Sequence, residues 1–505
     1  MKFRDLAFSL SRHGTNYAFS GIAVAVLNLI SVPVYTRLFS PSELGLYFAL
    51  TSAGQFLGIV FSLSLESALC RYYYEDRGNP LSFQIALSSY LIFVAIWGIV
   101  CFCVLSLFQS FLLQPLVKTS YWPLLCLMLL TANLQAIMIL LTSILQMDLK
   151  SKFVGIMNFT LSLFIFLVTV ALVRYASMGI EARLLSQVLI NTALAVIILI
   201  YLARRKAIRF SLSWQVIKRG LRFSGPLIPN SGLGWITNLS DRLLLRYYNM
   251  SAAGGVYSMG YDLSRMGVSL LSDSIFTTYV PMFYREMNRD ERAFSLTHAR
   301  FVSYCLLLVS AASFSLALFS EEIVRILMPR SYAGASGIMS VIAFAFLLAT
   351  LYRPFILVLS YRNKTSLISL IAFISAFTNL GLNLLLIPRL GSQGAAWTTL
   401  ISLGIWAGLS FAFAQRYFPI RYEYGRLFKI LAVHLLSLEA FSLLSSHRPS
   451  LLLYLAGKVV CLLLYPAALY LSGFFTTEEI HHAAKLRSPK DLLLLLRQKQ
   501  DAARP

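Results

Sequence analysis

The residues best suited to chemistry lie inside apolar stretches. Arg265 falls midway along a run from about residue 252 to 279, and Tyr257, Tyr261, Arg265, Ser269 and Asp273 follow one another at four-residue steps. On a helix that spacing puts all five on one slowly winding side. An ionisable side chain at membrane depth costs about 2.5–3.5 kcal/mol by insertion scales, so it faces protein or a water-filled cavity. A permanently charged guanidinium there suits an anion, because its fork of donors matches phosphate oxygens. The bland alternative is an ion pair with Asp262 or Asp273.

A second set precedes it. Asn230, Gly234, Asn238 and Arg242 repeat at four-residue steps with Asp241 beside the last, and Asp241 and Arg242 project about 100° apart on a helix, so each needs its own partner. They form either a binding or gating pair or an interhelical clamp. Arg265, Arg242, Asp241, Tyr261, Ser269 and Asn238 are therefore the candidate substrate-binding residues. Thr51, Gln55, Gly58, Ser62 and Glu66 share one side of an earlier run, and Asn16, Ser20, Asn28, Ser31 and Tyr35 mark another. Both read as a facing wall.

Glu66 has three readings: a pair with Arg71, a neutral carboxyl, or cation coupling, in which Asp273 would join it. Arg353, followed by Pro354, reads as a cation snorkelling to the surface. Glu439 and Lys458 lie at equal depth on a hairpin, which predicts a structural ion pair.

These residues need a membrane to explain them. Hydrophobic residues make up 58% of the 505-residue chain and charged residues 13%, which excludes an ordinary soluble enzyme and a disordered chain alike. The net charge of +22 would suggest nucleic acid in a soluble protein. Here the basic residues collect between apolar runs, on the side of both termini, so they read as topology-setting loops and no nucleic-acid partner is expected. The partner they imply is the phospholipid membrane.

The six cysteines fall in or beside apolar runs without metal-ligand spacing. No phosphate loop and no HExxH motif occurs, and His481 and His482 read as a solvated pair. No metal, cofactor or catalytic residue is expected. The amino-terminal stretch MKFRDLAFSLSRHGTNYAF lacks a convincing cleavage site and is kept as part of the first span.

The fold expected is an all-α polytopic membrane protein with about fourteen transmembrane helices. Residues 1–202 form an amino-terminal six-helix lobe, 203–222 a basic cytoplasmic connector, 223–417 a carboxy-terminal six-helix lobe, 418–473 two additional helices, and 474–505 a cytoplasmic tail. An internal echo supports two related lobes. Arg174, Ser177 and Gly179 recur as Arg389, Ser392 and Gly394 at an offset of 215, and Gly45 and Tyr47 recur as Gly255 and Tyr257 at an offset of 210. Matching order and membrane sense indicate parallel repeats about a pseudo-two-fold axis, a plan that places a ligand at the lobe interface.

The opening NLISVPVYTRLFSPSELGLYFALTSAGQFLGIVFSLSLESALCRYYYED, above all its YTRLFSPSELGLY turn, resembles bacterial polysaccharide flippases of the multidrug, oligosaccharidyl-lipid and polysaccharide exporter superfamily. The stretches SGPLIPNSGLGWITNLSDRLLL, LMPRSYAGASGIMSVIAFA and SYRNKTSLISL extend the resemblance over about residues 10–415. It implies a non-enzymatic flippase that moves an undecaprenyl-pyrophosphate-linked oligosaccharide, such as an O-antigen repeat unit, across the bacterial cytoplasmic (inner) membrane. Both termini would be cytoplasmic, and a polysaccharide polymerase and glycosyltransferases would be functional partners. It also implies that Arg265 is the eighth-helix cation and that Asp241 and Arg242 form the family's DR landmark. Glu66, Asp241, Asp262 and Asp273 make the interior less basic than that family suggests. A cation-coupled multidrug antiporter of the same superfamily and a polyprenyl-dependent glycosyltransferase or polymerase are the rival readings.

Overall fold

The computed structural model describes residues 3–75, 80–147, 151–205, 207–209, 211–445, 451–477 and 479, with the backbone alone for residues 3–20. Among them every long element is a helix. In the amino-terminal part these are α1 (Phe3–Leu38), α2 (Pro41–Ser62), α3 (Leu65–Glu75), α4 (Pro80–Leu107), the short turns α5 (Gln109–Leu112) and α6 (Gln114–Val117), α7 (Cys126–Met147), α8 (Ser151–Ala176) and α9 (Glu181–Arg204). Then come the amphipathic α10 (Trp214–Ser224), α11 (Ile228–Tyr247), α12 (Ser251–Ser264), α13 (Leu270–Arg289), α14 (Glu291–Leu318), α15 (Ser320–Leu327), α16 (Ala335–Tyr361), α17 (Thr365–Tyr417), α18 (Tyr424–Ser445) and α19 (Leu451–Leu471).

Ten of these helices are long and apolar enough to cross a membrane. The 53-residue α17 carries two of the expected runs, because it breaks at Gly391, whose φ of 58° is open to glycine. Ser375 Oγ then donates to the Ser402 carbonyl at 2.9 Å and Asn379 Nδ2 to Ser402 Oγ at 3.0 Å. A straight helix would hold residues 23 apart about 35 Å from one another. The two halves therefore fold back as a hairpin. The seventh and eighth runs, on α11 and α12–α13, fall short of that apolarity, and they are the elements that carry the polar stripes.

Beside an apolar core, burial departs from that of a soluble protein in two ways. Large apolar side chains such as Ile22, Ile99, Phe111 and Leu463 are exposed, whereas Ser186, Ser258, Asn383, Thr398 and Ser410 are fully buried. Helices surrounded by lipid turn apolar side chains outward and can bond polar groups to one another, as Ser186 Oγ on α9 does with Thr169 Oγ1 on α8 at 2.6 Å.

α2 opens on a capping box, with the Ser40 amide donating to Glu43 Oε2 at 2.8 Å, the Glu43 amide donating to Ser40 Oγ at 3.3 Å, and Pro41 in the first turn. Its far end breaks at Leu63 and Ser64, both in the left-handed region, so the expected second span is divided and Glu66 falls in the first turn of α3.

The repeat has a physical counterpart where α2 meets α12. A Cβ added at Gly45 would overlap the Ser251 carbonyl, and one added at Gly255 would overlap the Pro41 carbonyl. Adding the offset of 210 to Pro41 and Gly45 yields Ser251 and Gly255. Each helix thus presents the same positions to the other, as a two-fold contact requires, and backbone meets backbone with no side chain between.

Candidate functional site

Between the helices lies a polar chamber in two connected parts. The first, about 400 Å³, is lined by Tyr47, Thr51, Gln55, Gln135, Arg183, Gln187, Asn238, Arg242, Tyr261, Asp262 and Arg265, among others. Its charged lining is three arginines against one aspartate, two net positive charges.

Arg265 is exposed into this chamber and also lines a third cavity of about 460 Å³ with Asn28, Asn158 and Ser162. Among the described residues no acidic group pairs with it. Asp262 is held by Arg242 at 2.9 Å, and Asp273 is held by Arg353. The structure therefore does not form the neutralising pair that was the alternative for Arg265, and its five donors face open space.

Arg242 is 7% exposed, and its guanidinium lies 4.9 Å from the Tyr261 ring centre. It forms a wall, clamped between α11 and α12. Tyr261, 4% exposed, lines the chamber with it. Asn238 is exposed into both parts of the chamber and donates to the Gly234 carbonyl at 2.8 Å.

Three expectations need correction. Asp241 is 2% exposed and accepts from Tyr257 Oη and from the Arg242 amide, so it faces the helix interior rather than a ligand. Ser269 and Asp273 are absent from the chamber lining. The Leu270 amide bonds the Arg265 carbonyl five residues back, a wide π-type turn over Arg265–Ser269. Such a turn inserts one residue and rotates the rest of the helix by about 100°, which ends the four-residue stripe at Arg265. Asp273 consequently meets Arg353 on α16, so Arg353 does not snorkel freely.

The other acidic expectations also move. Glu66 does not pair with Arg71, which bonds Glu75 at 2.7 Å, one turn along α3. It lines the second part of the chamber, and its Oε2 is buried with no hydrogen-bond partner. Lys458 does not pair with Glu439. Its ammonium, 1% exposed, donates to both Glu322 oxygens on α15 at 3.0 and 2.8 Å, while Glu439 is exposed and forms no ion pair among the described residues.

Of the facing wall, Thr51, Gln55, Gly58 and Ser62 line the chamber and Asn28 the third cavity. Ser31 and Tyr35 are buried. Asn16 and Ser20 lie outside the described side chains, and His481 and His482 outside the described residues.

Arg183, Gln135 and Gln187 were missed. Arg183 lies near the start of α9, next to a loop, and its guanidinium stacks 4.1 Å from the Tyr35 ring centre and 4.0 Å from that of Tyr47. Gln187 Nε2 donates to Tyr47 Oη at 2.7 Å. The aromatic pair opposite a cation was the signal available.

An apolar groove of about 640 Å³ adjoins the third cavity through Ala25, Met266 and Leu270, and runs between α1 and α13–α15 past Ile22, Leu271 and Ile326. Cationic chamber and greasy groove thus meet at the Arg265 turn.

The chain is a multi-pass membrane protein with a transporter fold. The profile described as "Polysaccharide biosynthesis protein" matches residues 34–337, and the chain belongs to that family. Its fold is similar to that of the lipid II flippase MurJ in an inward closed conformation, with a TM-score of 0.71 at 15% identity over 90% of this chain and 98% of that one. The MATE transporter VcmN of Vibrio cholerae is similar with a TM-score of 0.58 at 14% identity, over 82% and 97% of the two chains. A MOP superfamily transporter from Pyrococcus furiosus gives 0.53 at 13% identity, over 81% and 95%. No curated protein matches by sequence.

Proposed function

We propose that this protein flips an undecaprenyl-pyrophosphate-linked oligosaccharide across the bacterial inner membrane by alternating access of two lobes, residues 1–202 and 223–417. The observation that carries the reading is Arg265, unpaired among the described residues, at the turn where a polar chamber meets an apolar groove. A pyrophosphate bonds its guanidinium, with Arg183 adding positive potential. The sugars occupy the chamber, and the polyprenyl tail leaves through the groove between α1 and α13. Carrying the sugars through bare hydrocarbon would strip their hydroxyls of hydrogen bonds at about 4–8 kcal/mol each.

With both termini cytoplasmic, the Gly45–Gly255 seam lies at the outer end, and the chamber opens inward. Helices 418–473 flank the second lobe, and the connector 203–222 lies on the cytoplasmic face. The reading needs no bond made or broken, so the chain acts without catalysis. Glycosyltransferases supply the lipid-linked substrate and a polymerase consumes it.

Flipping of a fluorescent undecaprenyl-pyrophosphate oligosaccharide in proteoliposomes tests the reading. Arg265→Ala is expected to abolish it, and Arg265→Lys to restore part. Undiminished flipping by Arg265→Ala at equal protein incorporation would refute the assignment. The rival drug and cation antiporter would rely on Asp273 and Glu66; Arg353 already occupies the first of them.

A further inference from the structure

We propose that the second part of the chamber is a sugar-reading subsite for a neutral or amino sugar, with Glu66 as the group that turns acidic sugars away. The inference rests on the pyrophosphate-lipid reading and names the class of head group it carries.

This part, about 520 Å³, lies within the range of small-ligand sites. It shares Gln55, Gln135 and Asn238 with the arginine-lined part and adds Ser62, Glu66 and Trp235. The chemistry changes along the chamber. Among the described residues no cation lines this part, and Glu66 is its one ionisable side chain. Arg71, the nearest basic residue along the chain, is engaged with Glu75, so nothing on α3 neutralises Glu66.

Glu66 Oε2 is buried with no donor to it. An unmet buried carboxylate oxygen demands one, and hydroxyl, amide N–H or ammonium groups of a sugar supply it. The side-chain amides of Gln55, Gln135 and Asn238 both donate and accept, which suits the alternating hydroxyls of a pyranose. The indole of Trp235 is fixed by its Nε1–H bond to the Ser52 carbonyl at 2.8 Å and by the Phe56 ring, 4.8 Å away, and it gives one wall a flat apolar face. A uronic acid in this space would set a second carboxylate against Glu66 with no cation in the lining to separate them. The passenger is therefore anionic where it meets Arg265 and uncharged or cationic where it meets Glu66.

The test uses the full chain in lipid nanodiscs and three probes: bare undecaprenyl pyrophosphate, the same lipid carrying a neutral N-acetylglucosamine disaccharide, and one in which the second sugar is glucuronic acid. The wild type is expected to bind the neutral probe about tenfold more tightly than the uronate probe. Glu66→Gln should narrow that gap to within about twofold, because the amide keeps hydrogen bonding and loses the charge. Ser231→Asp places a second acid in the lining of the same cavity, on α11, and should widen that gap, which keeps the inference testable if Glu66→Gln fails to fold.

Equal binding of the two sugar probes, a preference for the uronate, or a Glu66→Gln loss identical for both overturns the proposal; the last would assign Glu66 to ion coupling. The bare lipid separates the two claims. If it binds and the sugars are not discriminated, only the subsite falls; if it does not bind the wild type, the pyrophosphate reading falls and the subsite with it.

Discussion

Arg242 and Asp262 form an ion pair at 2.9 Å across α11 and α12, and the pair takes the carboxylate that stands three residues from Arg265. Two arginines on neighbouring helices thereby acquire different duties. One is buried and holds the wall; the other is exposed and faces the chamber.

That division predicts opposite phenotypes. Asp262→Asn leaves the nearly buried Arg242 without its counterion and should destabilise the protein by about 3 kcal/mol. Arg265→Ala removes a side chain with no partner among the described residues and should change stability by no more than about 0.5 kcal/mol, while undecaprenyl-pyrophosphate binding weakens by about tenfold or more. Thermal unfolding in detergent and lipid binding in nanodiscs, measured side by side, check both halves.

Gly45→Val should prop the α2–α12 seam open, because its Cβ has no space beside the Ser251 carbonyl. The strain is about 1–3 kcal/mol, enough to shift a balanced two-state equilibrium towards the open form. Distances between spin labels placed at the amino-terminal ends of α2 and α12 should lengthen. By the symmetry of the contact, Gly255→Val should act alike, and an unchanged distance distribution in both would contradict the seam's role.

Lys458→Met and Glu322→Gln test the buried pair between α19 and α15. Removing either partner should cost about 3 kcal/mol, since a mostly buried charge is left alone, whereas Glu439→Gln should be near neutral. The measurement is the unfolding midpoint of each variant, and a larger loss for Glu439→Gln than for Glu322→Gln would reverse the assignment.

The start of the tail is pinned by Glu479, which accepts from Tyr304 Oη, from the Thr476 amide at 2.8 Å and from Arg426 Nη2 at 2.8 Å. Burial works against its charge, but the bonds from Tyr304, Thr476 and Arg426 overcome it and bring the carboxyl down to about 2. A lowered value means the stabilisation is complete above the ordinary glutamate range and fades as pH falls through the folded value. Glu479→Gln should therefore lower the unfolding midpoint at pH 7 and converge on the wild type as pH approaches 2. A deficit that is the same at both ends of the titration would assign the loss to packing instead.

How much was legible depended on whether local spacing carried the information. Apolar length marked where helices lie, and a cation in the middle of an apolar run, Arg265, marked the chamber it lines, because both follow from desolvation alone. The stripe beyond Arg265 misled, since four-residue periodicity assumes an unbroken helix and the π-type turn adds a residue there. Asp241 and Arg242 were left open between a ligand pair and an interhelical clamp, and only their partners on another helix, Tyr257 and Asp262, decide for the clamp; Lys458 looked paired to Glu439 because its true partner lies 136 residues away. Arg183 was hidden by its closeness to a loop. Apart from the π-type turn, which is a feature of one helix's own backbone, the missing quantity was a contact between elements, which hydropathy and spacing do not encode.

At Gly45 and Gly255 the α2–α12 seam joins main chain to main chain. Parting the two glycines breaks no ion pair between them, so this contact in itself should be indifferent to acidity and to ionic strength. Any force that separates the two glycines must arrive as mechanical movement of whole helices.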